Sequence, residues 1–122
     1  MQRTAVVALG GNAFTRAGQR GTYEELASNA AAMAQAVHRL HQAGWRVVVA
    51  HGNGPQVGYL AIEADAARDI VPPPPLDVLV AESQGQIGYL LSQALTAQLL
   101  LRGRDRRVVT TLTQTVVDPA DP

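Results

Sequence analysis

Two stretches of the chain share one hydrophobic pattern. Val6-Val7-Ala8-Leu9 and Val47-Val48-Val49-Ala50 are short, near-continuous apolar runs rich in β-branched residues, and each stops on glycine and asparagine, at Gly10-Gly11-Asn12 and at His51-Gly52-Asn53-Gly54. Runs of this length without polar alternation predict strands buried on both faces, as in a parallel sheet. Between them, Leu26, Ala30, Met33, Val37 and Leu40 recur at helical spacing, while Gln35, His38, Arg39 and Gln42 fall largely outside that stripe. Thr22 and Glu25 have the spacing of a capping box at the start of this helix, and Gly44 is placed to end it in a left-handed conformation. Strand, helix and strand make a βαβ unit. Its two glycine-rich endings are expected on one edge of the sheet, where open α/β folds collect ligands.

Beyond the second loop, Pro55 suits the first turn of a helix, which the pattern carries to Arg68 or Asp69. Pro72 to Pro75 impose a stiff extended connection. Helical spacing resumes from Asp77, a candidate N-cap, to about Leu101, with Leu79, Ile87, Leu90, Leu91, Ala94, Leu95 and Leu99 supplying apolar faces. Gly85 and Gly88 interrupt this helix at about 1 kcal/mol each relative to alanine, which predicts close approach of another backbone, from within the chain or from a second subunit. Arg102 to Arg107 form a charged turn, Val108 to Val117 read as a third strand, and Asp118-Pro119-Ala120-Asp121-Pro122 read as a loop leading onward.

Composition narrows the setting. At 122 residues the chain suits one domain, and its ten basic residues balance ten acidic ones, which gives no reason to expect nucleic acid or an anionic membrane as partner. The chain has no cysteine, no apolar run of membrane-spanning length and no secretory leader pattern, so a cytoplasmic setting is expected. All ten basic residues are arginine. Any step that needs a lysine ammonium on a transferring phosphoryl group therefore finds no donor here.

The candidate chemistry sits in the loops. Around Gly10, Gly11 and Asn12, chain without Cβ lets amide N–H groups converge on phosphate oxygens, and the Asn12 amide adds a donor. The sequence is neither a Walker A loop nor a three-glycine dinucleotide fingerprint. Gly52, Asn53 and Gly54 precede Pro55 and a helix N-terminus, a setting that favours an anion, with Asn53 and Gln56 as uncharged donors. His51 could serve as a general base, although a structural role orienting the loop is preferred. Glu82 and Ser83 lie in the first turns of the last helix, where capping and dipole compensation are preferred over chemistry. His38 and His41 lack a carboxylate or cysteine partner at ligand spacing, so no metal site is expected.

Taken together, Leu9-Gly10-Gly11-Asn12-Ala13, His51 to Gly58, Pro75-Leu76-Asp77-Val78, Ala81 to Gly85, Thr113-Gln114 and Val117-Asp118-Pro119 resemble the carbamate kinases of the amino acid kinase family. The resemblance runs in order through essentially the whole chain. It implies a three-layer α/β/α sandwich with a mainly parallel sheet, here incomplete, with residues 1–122 as the N-terminal lobe and the C-terminal nucleotide-binding lobe absent. It further implies a homodimer and reversible phosphoryl transfer between carbamoyl phosphate and ADP, giving ATP and carbamate, in arginine catabolism, with Mg as the ion accompanying ADP/ATP. Gly10, Gly11 and Asn12 would face the transferring phosphoryl, with Gly52, Asn53 and Gly54 opposite. Carbamate kinases are more than twice this long, and the resemblance puts their catalytic lysines, metal-associated aspartate and most of the nucleotide pocket past Pro122. The isolated 122 residues are accordingly expected to be inactive and to hold no cofactor alone. A non-catalytic half-domain that binds a small anion or dimerises is the alternative.

Overall fold

Residues 3–101, 107–118 and 120 are described by the structure, a computed structural model. Strand β1 (Thr4–Leu9) is followed by a single 3-10 turn (Gly11–Ala13), helix α1 (Tyr23–Gln42), strand β2 (Arg46–His51), helix α2 (Gly54–Ala66) and helix α3 (Leu76–Leu100). β1 and β2 pair in parallel, with Thr4 opposite Arg46 and Leu9 opposite His51. This is the βαβ arrangement that the paired apolar runs predict.

The helix α1 begins where the capping box places it. Thr22 Oγ1 accepts from the Glu25 amide at 3.4 Å, and Glu25 Oε2 accepts in return from the amides of Thr22 and Gly21 at 3.1 and 2.8 Å. At the other end, Gly44 adopts φ +87°, and its amide and that of Trp45 close back on the carbonyls of His41 and Leu40. A residue with a Cβ would be strained at that φ, so the glycine is what lets the chain turn sharply into β2. The buried face is broader than the predicted stripe. It includes Asn29 and Ala34 and also His38, which had been expected outside it; His38 lies one turn after Ala34 and so falls on the same side of the helix.

Helices α1 and α3 pack on each other and on one face of the sheet. The core there gathers Phe14, Leu26, Ala30, Ile87, Leu90 and Leu91, with Leu9 and Val49 from the strands against it. The opposite sheet face is bare: Val6 is 70% and Val48 50% exposed. The strands read as buried on both sides, yet only one side is covered by the described residues.

Three expectations change in α2, α3 and the segment that follows. Helix α2 stops at Ala66, a turn earlier than the pattern suggested. Helix α3 is capped by Pro75, not Asp77: the extended backbone of Pro75 (φ −68°, ψ 161°) lets its carbonyl accept from Val78 and Leu79, and Asp77 falls in the first turn. The predicted third strand does not form a ladder, and the sheet has two strands among the described residues. Its chain is tied to α3 instead. Thr110 Oγ1 donates to the Gly88 carbonyl at 3.1 Å and the Thr113 amide donates to Gln84 Oε1 at 2.8 Å, while a cleft of 490 Å³ separates residues 107–111 from β2. The expected charged turn lies mostly outside the described residues, as does most of the segment after Asp118.

Of the two helix glycines, Gly88 alone is crowded. A Cβ there would overlap Thr110, whereas a Cβ on Gly85 would meet nothing within 4 Å. The neighbour at Gly88 is thus a side chain of the same molecule and not a passing backbone. At Gly85 the expected close approach is absent among the described residues.

Candidate functional site

The parallel register decides where the loops meet. Because Leu9 pairs with His51, both strands end at the same level, and the Gly52 amide donates to the Leu9 carbonyl at 2.9 Å. Gly10-Gly11-Asn12 and Gly52-Asn53-Gly54 therefore leave the sheet side by side on its carboxyl edge. The first loop folds at once into the 3-10 turn, closed by Ala13 N–H to the Gly10 carbonyl at 2.9 Å, and Asn12 is exposed on it. Helix α2 begins at the end of the second loop, and its N-terminus packs on that turn.

Gly10 and Gly54 face open space. A Cβ built on Gly10 or on Gly54 would meet no atom within 4 Å, and neither residue has a positive φ. At Gly10 neither a positive φ nor packing demands glycine, whereas Gly54 is helical and directly precedes Pro55, a position where the proline ring crowds a Cβ. Amides flanked by chain without Cβ can be approached closely by an oxyanion.

Asn53 is held rigidly. Its Nδ2 donates to Ser83 Oγ at 2.7 Å and lies 3.4 Å from the Val80 carbonyl, while Ser83, wholly buried, donates on to that same carbonyl at 2.7 Å. The side chain makes no capping bond to α2, so the first amides of the helix keep their donors free of it. Asn53 thereby ties the loop to α3, with its amide hydrogens engaged inside the protein. Ser83 is its anchor, whereas Glu82 beside it is exposed.

His51 sits at the end of β2 with its Nδ1 3.3 Å from the Gly52 carbonyl and its ring edge-on to Phe14, centroids 6.1 Å apart. These contacts suit the loop-orienting role. Gln56, in the first turn of α2 and only 2% exposed, donates from Nε2 to Thr15 Oγ1 at 3.1 Å and so bridges the roots of the two loops.

Several residues that shape this edge escaped the sequence reading. Phe14 is completely buried and anchors the first loop in the core. Asn29 Nδ2 donates to the Phe14 carbonyl at 2.9 Å and to Gln19 Oε1 at 2.7 Å, fixing the path back to α1. The signal for Asn29 was present: it stands three residues after Leu26, a polar side chain on the apolar face. Among the described residues no three His, Cys, Asp or Glu side chains gather in a metal-ligand group, and no helix is long and apolar enough to cross a membrane.

Residues 3–111 match the amino acid kinase family. The chain belongs to that family. A carbamate kinase of Pyrococcus horikoshii is 45% identical over 124 residues, taking in 100% of this chain and 40% of its own length. The carbamate kinase of Escherichia coli K12 is 48% identical, over 98% of this chain and 38% of its own. Among solved structures, the carbamate kinase from Giardia lamblia bound to AMP-PNP superimposes with a TM-score of 0.93 at 42% identity, over 98% of this chain and 38% of that one. The chain thus spans about two-fifths of the length of the curated relatives it matches. Within the family, its parallel βαβ unit, loop edge and long third helix form a small α/β domain consistent with an incomplete amino acid kinase fold.

Proposed function

We propose that this chain supplies the carbamoyl phosphate side of a carbamate kinase-like phosphotransferase. The observation that carries the reading is the Gly52 to Leu9 hydrogen bond at 2.9 Å, which holds the two glycine loops side by side near the start of α2, with open space at Gly10 and Gly54. In the reaction proposed, a terminal oxygen of ADP attacks the phosphorus of carbamoyl phosphate. The bond from phosphorus to the carbamoyl oxygen breaks, and carbamate leaves with the electron pair as ATP forms. Positioning and charge stabilisation supply the catalysis, and backbone amides of Gly10, Gly11 and Gly54, with Asn12, suit the phosphoryl oxygens, whereas the Gly52 amide is taken by the Leu9 carbonyl. His51, Asn53, Gln56 and Ser83 hold these loops in place.

The nucleotide side has no counterpart in these residues. Mg²⁺ accompanies ADP in this chemistry, and with no lysine among these 122 residues we propose that the nucleotide is gripped by residues outside them. Homodimer formation, a cytoplasmic setting and a role in arginine catabolism belong to the same proposal.

The test is to titrate the 122-residue protein with inorganic phosphate and carbamoyl phosphate, and to assay ATP formation from carbamoyl phosphate and Mg-ADP. Binding without turnover is expected. Turnover near that of a full-length relative would refute the assignment of the nucleotide side, and failure to bind either anion would refute the loop assignment. A second reading, a half-domain that associates without catalysis, draws on the bare sheet face at Val6 and Val48. It predicts a stable oligomer in sedimentation with no anion binding.

A further inference from the structure

We propose that the cleft between β2 and residues 107–111 is a slot for one added strand, contributed by polypeptide outside these 122 residues and hydrogen-bonded to β2 at Val47 and Val49. The backbone of β2 decides which groups are on offer. Its Arg46 amide and the Gly52 amide just past its end donate to Arg3 and Leu9, and because backbone groups alternate in direction along a strand, those of Val48 and Ala50 turn to β1 as well. The N–H and C=O groups of Val47 and Val49 therefore point the other way, and both residues line the cleft. No further strand pairs on that side among the described residues.

The far wall is open in the same way. Among the described residues, 107–111 make no backbone-to-backbone hydrogen bond, and Thr110 is held by its hydroxyl to the Gly88 carbonyl. Two unpaired stretches of backbone thus flank a space of 490 Å³, floored by Val37, Leu91, Leu95 and Leu99 from α1 and α3. One strand laid on that floor, at the usual spacing of about 4.8 Å from β2, takes up the free β2 groups and covers the aliphatic floor at once. The gap also belongs to a longer fold. The chain superimposes on the carbamate kinase from Giardia lamblia with a TM-score of 0.93 over 98% of its own residues but 38% of that chain. The same placement of residues 107–111 therefore serves in a protein with about three-fifths of its length still to be accommodated, and that remaining polypeptide is the occupant. The inference uses the fold alone and is independent of the anion site.

Amide hydrogen exchange tests the slot on the 122-residue protein, first alone and then co-refolded with the part of the Giardia lamblia carbamate kinase that this chain does not match. Alone and dilute, the Val47 and Val49 amides should exchange about tenfold or more faster than those of Val48 and Ala50. In the complex they should slow by about tenfold or more. Val47→Pro deletes an N–H that is unbonded in the chain alone, so the variant should keep its protected Val48 and Ala50 amides yet bind the partner polypeptide about tenfold or more weakly. Protected Val47 and Val49 amides in the dilute protein alone overturn the inference even if the variant fails to fold. Absence of a complex overturns it too, as does a complex that leaves those two amides exposed. Protection that rises with the concentration of the 122-residue protein alone assigns the slot to a second copy and overturns the stated occupant. None of these outcomes moves the anion site, which phosphate titration tests separately.

Discussion

Two glycines three residues apart in one helix should respond oppositely to the same substitution. At Gly85 an added Cβ meets nothing within 4 Å, so Gly85→Ala removes the helix-interior penalty of glycine and should stabilise the protein by about 0.5–1 kcal/mol. At Gly88 the same Cβ overlaps the Thr110 methyl and lies 3.1 Å from Oγ1 and 3.2 Å from Cβ of that residue. Thr110 cannot escape by rotating, because its hydroxyl is bonded to the Gly88 carbonyl at 3.1 Å and its β-branching brings another heavy atom round in place of the methyl. The segment must lift away, losing that hydrogen bond and its packing. Overpacking of this kind costs about 1–3 kcal/mol, against which the helical gain of alanine is set, leaving Gly88→Ala destabilised by roughly 1–2 kcal/mol. Urea unfolding followed by circular dichroism would place the two midpoints on opposite sides of the wild type. Thr110→Ser, which deletes the methyl and keeps the hydroxyl, should recover part of the Gly88→Ala loss in a double-mutant cycle. Equal stability of Gly85→Ala and Gly88→Ala would refute the placement of residues 107–118 against α3.

Three further outcomes follow from the site and the core beneath it. Phe14→Ala empties the centre of the core and should cost about 3–5 kcal/mol, read as a lowered urea midpoint; a loss below about 1 kcal/mol would contradict the burial of the ring. Ser83→Ala takes away the acceptor for Asn53 and should cost about 1–3 kcal/mol while speeding amide exchange at Asn53 and Gly54; unchanged exchange would show that Ser83 does not anchor the loop. Gly54→Ala should weaken phosphate binding by about tenfold or more through lost close approach, with a small loss of stability because the helical residue before Pro55 disfavours a Cβ; an unchanged phosphate affinity in calorimetry would remove Gly54 from the site.

Local patterns with a strong physical cause were legible in the sequence. The capping box at Thr22, the left-handed Gly44 and the two strand endings depend on a few adjacent residues, and each stands where its chemistry places it. The meeting of the two loops was legible for the same reason, because parallel pairing of two like runs brings their endings together. What failed depended on distant partners. Val108 to Val117 have strand composition, but strand composition does not choose between a sheet edge and the side of a helix, and here the hydrogen bonds of Thr110 and Thr113 go to α3. Pro75 displaced Asp77 as the cap because the imposed backbone outweighed a side-chain preference. Asn53 looked like a ligand donor, yet its amide hydrogens point to Ser83 and Val80, residues thirty and twenty-seven positions onward that no local pattern names.

The aliphatic character of both faces of β1 and β2 has a consequence for how the strands find each other. In a strand with one apolar and one polar side, slipping by a single residue would expose the greasy side and bury the polar one, and the pattern itself forbids the error. Here Ala5, Val7 and Leu9 point one way and Val6 and Ala8 the other, so a slipped pairing would still bury aliphatic groups. Alignment must be enforced from the strand ends, where the Arg46 amide donates to the Arg3 carbonyl at 2.8 Å and the Gly52 amide to the Leu9 carbonyl at 2.9 Å. The second of these belongs to the glycine loop itself. The loop proposed to receive phosphate thus also indexes one strand against the other, and a substitution that loosens it would be felt along the whole ladder as a choice between two frames.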